Sequence, residues 1–411
     1  MRHRNSLMAA ATASLASIFL SFVLHSPWSS PGIYSDINSF WVRGPEVREG
    51  LVPYFQFFFE YPPLSGAVLY FCRLAGGDYD GYFSVFGALS LAAAAGIAWS
   101  CWRTCAALGR RLNPLYFFLP SMIVYGVYNF DLFNALFIVL SLQLLLEGRR
   151  GASAAALGLA IALKLVAVVL LPIYLLELAA ARPPGSSAAG EGVAGFPGGA
   201  EPGQAGGLPG AAGAWLSENR AWLAYLLVVV AVVALAYLPI VVRNPGDLVQ
   251  FYNYFRAWGL EDAWYVWIFQ GTFNPYSKVF GLAIAAVLLL RVYTLRLPLA
   301  VKAFLGLSAY LLGASIYAPQ FNVMLIPLVV VLGIEDPALY TWDVFNVLII
   351  LTWSTATDPT QAWTVPQAMA LLRTASLAWM CLSLLKSQGV RPLELLPPFM
   401  RRRTLADFPA G

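Results

Sequence analysis

Long apolar runs, parted by short breaks that carry arginines or isolated polar residues, occupy most of this chain. A helix of about 20 apolar residues spans the roughly 30 Å hydrocarbon core of a bilayer at 1.5 Å per residue. Only 11% of the 411 residues are charged and 59% are hydrophobic. A soluble domain is about 25% charged, so these side chains cannot cover a water-facing surface. That excludes a cytosolic enzyme, a disordered chain and a disulfide scaffold. The expected fold class is an all-α integral membrane protein, a polytopic helical bundle, with the bilayer as solvent for most of its surface.

The first run, 7–25, follows Met-Arg-His-Arg and is long enough to span. Without a clear small-x-small site before Trp28 it reads as a retained helix rather than a signal peptide. A polar and aromatic loop, 26–61, follows it. Residues 62–75 are apolar but short. Further candidate spans are 82–108, 114–128, 130–147, 151–164, 165–180, 220–241, 276–295, 298–316, 320–334, 342–355 and 364–386, giving roughly 11–13 transmembrane helices.

Arginine placement orients them. If 62–75 does not cross, then Arg110 and Arg111, Arg149 and Arg150, Arg182, Arg291 with Arg296, and Lys386 with Arg401–Arg403 all fall on the side of Arg2 and Arg4. The opposite, outer face then collects the loop 26–61, the breaks at 128–131 and Lys164, the loop 242–275, the turn 317–320 and the loop 355–363. These are the segments with unusual polar residues.

The expected organisation is an N-terminal bundle over 1–181, a flexible Gly/Pro/Ala-rich cytoplasmic linker over 182–214, a C-terminal bundle over 215–390 and a cytoplasmic tail over 391–411. A net charge of +4 is too small to point to nucleic acid, and two histidines make a His-rich metal site improbable. Cys101 and Cys105 share a helical face, which suits packing.

Asp36, in Tyr34-Ser35-Asp36-Ile37-Asn38, is the first acid after the first helix. Near a bilayer surface it could take a proton, although spacing alone favours a hydrated loop aspartate or a local cap. The loop continues through Tyr54 to Glu60-Tyr61-Pro62-Pro63, whose prolines fit a helix start. Asn129 and Asp131 sit between two apolar segments, where Asp131 serves equally as a helix cap or as a functional acid.

Lys164 interrupts the apolar run 157–171, at a cost of about 2.5–3.5 kcal/mol for a central charge on insertion scales. A fixed cation there suits an anionic phosphate, and pairing with Asp131 is the competing account. Arg256, with Glu261 and Asp262, adds a charged cluster to the aromatic stretch 251–258, which an interfacial belt does not require. Gln320 follows Pro319 at another outer break, where it either meets substrate or satisfies freed backbone groups.

In this order, these residues resemble the multi-span glycosyltransferases of the GT-C class. They are most similar to the mannosyltransferases that use polyprenyl-phosphate-linked sugar, including the GPI first-mannose transferase and its bacterial and archaeal relatives. Tyr34-Ser35-Asp36-Ile37, Pro53-Tyr54 and Tyr61-Pro62-Pro63-Leu64 carry most of the likeness. Asn129, Asp131, Lys164, 252–261 and Ala318-Pro319-Gln320-Phe321 add to it. Part of that family has a second acid where this chain has Asn38, which disfavours a paired-carboxylate metal site, so neither metal nor cofactor is expected.

The resemblance implies a GT-C-like bundle with a long first outer loop. It implies inverting transfer of a hexose, mannose by the likeness, from a polyprenyl-phosphate donor to a lipid-linked or glycan acceptor. Asp36 would be the general base, and Lys164 and Arg256 would hold the donor phosphate. Tyr34, Tyr54, Glu60, Tyr61, Asn129, Asp131, Glu261 and Gln320 would line the substrate site. The implied location is the cell membrane, if prokaryotic, with the site on the outer face. The alternative is a lipid or small-solute transporter, since membrane charges also mark transport paths. A transporter needs a site open in turn to both faces, whereas the polar groups here gather on one.

Overall fold

The computed structural model describes residues 2–29, 33–180 and 208–390. Most of the expected linker, 182–207, and the tail 391–411 lie outside the described residues. The expected all-α polytopic bundle is present. Among the described residues there is no β-strand, only two isolated bridges.

The N-terminal half runs through α1 (Arg2–His25), α2 (Asp36–Arg43), α3 (Pro45–Glu49), α4 (Pro63–Gly76), α5 (Tyr79–Ala107), α6 (Pro120–Tyr125), α7 (Asp131–Leu146), α8 (Arg150–Leu163) and α9 (Leu170–Ala180). The second half runs through α10 (Leu208–Arg243), α11 (Pro245–Ala257), α12 (Val266–Phe269), α13 (Pro275–Thr294), α14 (Leu299–Gly313), α15 (Asn322–Leu332), α16 (Pro337–Thr352) and α17 (Val365–Ser387). Helix α10 already begins at Leu208, inside the stretch expected to be linker.

Among the described residues, five helices are long and apolar enough to cross a bilayer: Ser6–His25, Tyr79–Ala107, Arg220–Arg243, Pro275–Thr294 and Val365–Ser387. The remaining apolar runs are cut shorter by specific breaks. The expected span 114–128 divides at Pro120 into a 3₁₀ turn, Pro114–Phe118, and the six-residue helix α6. Lys164 separates α8 from a second 3₁₀ turn, Leu165–Val169, that leads into α9. At 14 residues, α4 reaches about 21 Å, too short to cross upright.

The outermost helices and the core differ in the way a bilayer demands. On α10 and α13, Leu227, Leu235, Val279, Leu282 and Leu290 are exposed, so these helices present apolar side chains to lipid. Every residue of α15 is buried, and this helix packs against α5, α7 and α14. Hairpins α7–α8, α13–α14 and α16–α17 each pack as a pair, and α15 meets the first two through α7 and α14. In the α13–α14 hairpin, a Cβ on Gly281 would meet the Gly313 carbonyl oxygen at 2.4 Å, so only glycine permits this backbone approach. The thiols of Cys101 and Cys105 are buried against the Pro327 and Val330 carbonyls of α15, in the packing role expected of them.

Candidate active site

Helix α2 begins where it does because Ser35 caps it: the Ser35 Oγ accepts from the Asn38 amide at 3.2 Å. Asp36 is therefore the first residue of the helix, not its cap, and its carboxylate stands at the positive end of the helix. The Asp36 amide donates to the Tyr128 carbonyl at 3.1 Å, tying α2 to the break before α7. Asn38 turns away from the carboxylate and donates its side-chain amide to the His25 carbonyl at 2.6 Å. His25 in turn lies between the Ile33 and Val124 carbonyls, at 3.0 and 2.6 Å from its two ring nitrogens.

Three side chains hold the Asp36 carboxylate. The Tyr34 hydroxyl donates to Oδ1 at 3.0 Å. The Tyr61 hydroxyl and the Asn129 amide donate to Oδ2 at 3.2 and 2.7 Å. Asn129 is fully buried and also donates to the Tyr61 hydroxyl at 2.8 Å, so it positions both groups. Burial pushes the Asp36 carboxyl up to about 6. The Tyr34 and Tyr61 hydroxyls and the Lys164 charge oppose that rise, and Asp131 adds to it. A carboxylate with that affinity is suited to take a proton near neutral pH.

Asp36 faces a cavity of about 1470 Å³. Its walls come from the segment 33–62, Tyr128, Lys164–Val166, the aromatic stretch 251–261, Lys278, the segment 315–321 and the end of α16. Tyr34, Glu60, Tyr61, Lys164, Arg256, Glu261 and Gln320 all line it. Burial raises the Glu60 carboxyl, and burial with the adjacent Asp262 raises that of Glu261.

Three expected site residues do not reach the cavity wall. Asn129 sits behind Asp36. Asp131 is fully buried, with Oδ1 accepting from Lys164 Nζ at 2.6 Å. Tyr54 adopts a left-handed φ of 66° and donates to the Tyr61 carbonyl at 2.5 Å. Its ring covers Gly66, where an added Cβ would lie 2.6 Å from a ring carbon. Gly66→Ala should therefore displace Tyr54 and, with it, Tyr61. Overpacking costs of about 1–3 kcal/mol are typical, and thermal unfolding together with transfer rate measures the effect.

Lys164 is both paired and cavity-facing. Its ammonium lies 3.7 Å from the centre of the Phe321 ring. The Ser65 hydroxyl donates to the Leu163 carbonyl freed by the break, at 2.9 Å. The expected cluster of Arg256 with Glu261 and Asp262 does not form. Glu261 accepts from the Trp258 indole at 2.9 Å, and Asp262 points the other way, toward Gln367. A left-handed turn at Asp262, φ 54°, sends the two neighbouring acids to opposite sides. Arg256 is exposed to the cavity, and Lys278 donates to its carbonyl at 2.7 Å, closing the end of α11.

Arg43 is a cavity residue that the sequence motifs passed over. It donates to the Tyr34 hydroxyl at 2.5 Å, so a guanidinium stands one group behind Asp36. Its spacing of seven from Asp36 on one helix face was the available signal.

Residues 58–196 match the family model of Glycosyltransferase family 87. Tyr61, Asn129, Asp131 and Lys164 lie inside the matched segment, and Asp36 lies before it. No curated protein matches the chain. Among solved structures, it is similar to ArnT from Cupriavidus metallidurans bound to undecaprenyl phosphate, at 14% identity and TM-score 0.46, covering 92% of this chain and 77% of that one. The apo state of the same protein gives 12% identity and TM-score 0.44, covering 95% and 78%. About a third of the chain thus matches a glycosyltransferase family model, and that segment lies within a multi-span helical bundle.

Proposed function

We propose that the cavity transfers a hexosyl group, mannose by the resemblance, from a polyprenyl-phosphate-linked donor to a hydroxyl of a lipid-linked or glycan acceptor. The observation that carries this reading is the Asp36 carboxylate, fixed by Tyr34, Tyr61 and Asn129 on the wall of a large cavity that also exposes Arg256 and Lys164. Asp36 takes the acceptor hydroxyl proton. The acceptor oxygen bonds to the anomeric carbon from the face opposite the leaving group. The bond from that carbon to the phosphate oxygen breaks, and its electron pair leaves with the polyprenyl phosphate, giving inversion.

The leaving group needs positive charge placed in advance. Arg256 is the better supported partner: among the described residues no acidic side chain forms a salt bridge with it. Lys164 shares its charge with Asp131 and contributes a weaker field. Glu60, Glu261 and Gln320 offer acceptors and an amide to sugar hydroxyls. Aromatic side chains such as Phe58, Tyr254 and Phe255 give the donor lipid an apolar wall.

The test is incubation of the purified full chain with radiolabelled polyprenyl-phosphate-mannose and extracted lipid acceptors. Label should pass to an acceptor with inverted anomeric configuration, releasing polyprenyl phosphate. Translocation of intact donor without bond cleavage would instead support a transporter.

The arginine distribution supports a cavity open to the outer face of the cell membrane. In sealed cells, Tyr252→Cys at the cavity should react with an impermeant maleimide, and Arg149→Cys at the α7–α8 turn should not. Both positions are exposed, and the four native cysteines are buried. The reverse labelling pattern would invert the topology.

A further inference from the structure

A second set of buried polar groups lies beside the cavity, on the C-terminal half, and none of its members takes part in the transfer chemistry above. Arg373, in the middle of the spanning helix α17, is fully buried. A charge in such a helix is expensive and normally has a function or a partner. One arm of its guanidinium donates to the Asn346 side-chain oxygen at 3.1 Å, and the other donates to the Asp262 backbone carbonyl at 2.9 Å. Its plane covers the Tyr317 ring at 3.6 Å. Near the start of α17, the Gln367 amide donates to Asp262 Oδ1 at 2.9 Å and to the Pro359 carbonyl at 3.0 Å.

Both α17 residues therefore converge on Asp262, which holds a left-handed φ of 54°. Aspartate tolerates that region but does not prefer it, so the turn needs outside support. On its other side the chain is stitched to the 315–317 segment. The Glu261 amide donates to the Ser315 carbonyl at 3.0 Å, and the Tyr317 amide donates to the Glu261 carbonyl at 2.9 Å. Glu261 is the residue just before the turn, and its carboxylate lines the cavity.

We infer that Arg373 and Gln367 are positioning residues for sugar transfer: they hold the left-handed turn at Asp262 and so keep the Glu261 carboxylate in the cavity, where it accepts hydrogen bonds from sugar hydroxyls. This rests on the reading of the cavity as a sugar-transfer site. Without the α17 donors, the turn relaxes toward ordinary backbone angles. Glu261 then rotates out of line, and the pairing with 315–317 loosens.

Two variants of the full chain in detergent test this, Arg373→Lys and the milder Gln367→Leu, which roughly keeps side-chain volume at a buried site and removes the amide donor. Hydrogen exchange at the Glu261 and Tyr317 amides should quicken by about tenfold in each, with α1 and α5 unchanged. Sugar transfer per folded molecule should fall about tenfold in kcat/KM. In a Glu261→Gln background the same substitutions should add less than about twofold, because residues acting through one group are not additive.

Unchanged exchange at those two amides overturns the inference. So does an equal loss of transfer in both backgrounds, which would make the α17 residues independent of Glu261. Reduced thermal stability with normal turnover per folded molecule would leave them merely structural. If the wild type transfers no sugar, the role in transfer falls together with the proposed function, while the exchange measurement still decides whether α17 holds the turn.

Discussion

Asp36→Asn should lower sugar-transfer turnover by about 10²–10⁴-fold, the usual contribution of a general base. The substitution keeps shape and one acceptor oxygen, so Tyr34 retains its partner. It removes the site that takes the proton. It also sets a new amide donor against the Asn129 amide, which now donates to Oδ2 at 2.7 Å. The Tyr61 hydroxyl can rotate to accept from the new amide, which limits the structural effect. Donor binding should change little, since Arg256 and the aromatic wall are untouched. Kinetics and thermal unfolding on one preparation separate lost chemistry from lost folding. Normal specific activity would remove Asp36 from the mechanism and direct attention to Glu60.

Lys164→Met should destabilise the protein by about 3–5 kcal/mol, the usual cost of leaving one member of a buried ion pair alone. Asp131 is fully buried, its Oδ1 has Lys164 as partner, and its Oδ2 has no hydrogen-bond partner among the described residues. Asp131→Asn in the same chain removes the stranded charge and should recover most of the loss. Thermal unfolding of the single and double variants in detergent checks this. A stable single variant would show that the pair contributes little to the fold.

The sequence marked out the parts of this site better than their connections. Composition and run lengths give the helical membrane class directly, because bilayer thickness constrains both. The breaks at 128–131, Lys164 and Pro319 were visible as polar or proline interruptions, and their segments do meet at one cavity. What periodicity cannot reveal is which way a side chain turns at a break. Glu261 and Asp262 are neighbours in sequence, yet a single positive φ sends one to the cavity and the other to α17. Tyr54 looked like a cavity residue from its motif, but the close approach of Gly66 draws its ring behind Tyr61. Arg373 was a lone charge in an apolar helix, a signal as strong as Lys164. One of its partners, the backbone carbonyl at 262, lies over 100 residues away.

The pH dependence of single-turnover sugar transfer, measured for the wild type and for Asp36→Asn on preparations of matched stability, tests the central claim most directly. Burial raises the Asp36 carboxyl to about 6. Above that pH the group is ionised and able to accept the proton. Below it, the protonated acid cannot, so the wild-type rate should fall about tenfold per pH unit as the medium is acidified. The residual rate of the variant should be flat over the same range. A wild-type rate with no inflection near 6, or the same inflection in both proteins, would contradict the assignment of Asp36 as the base.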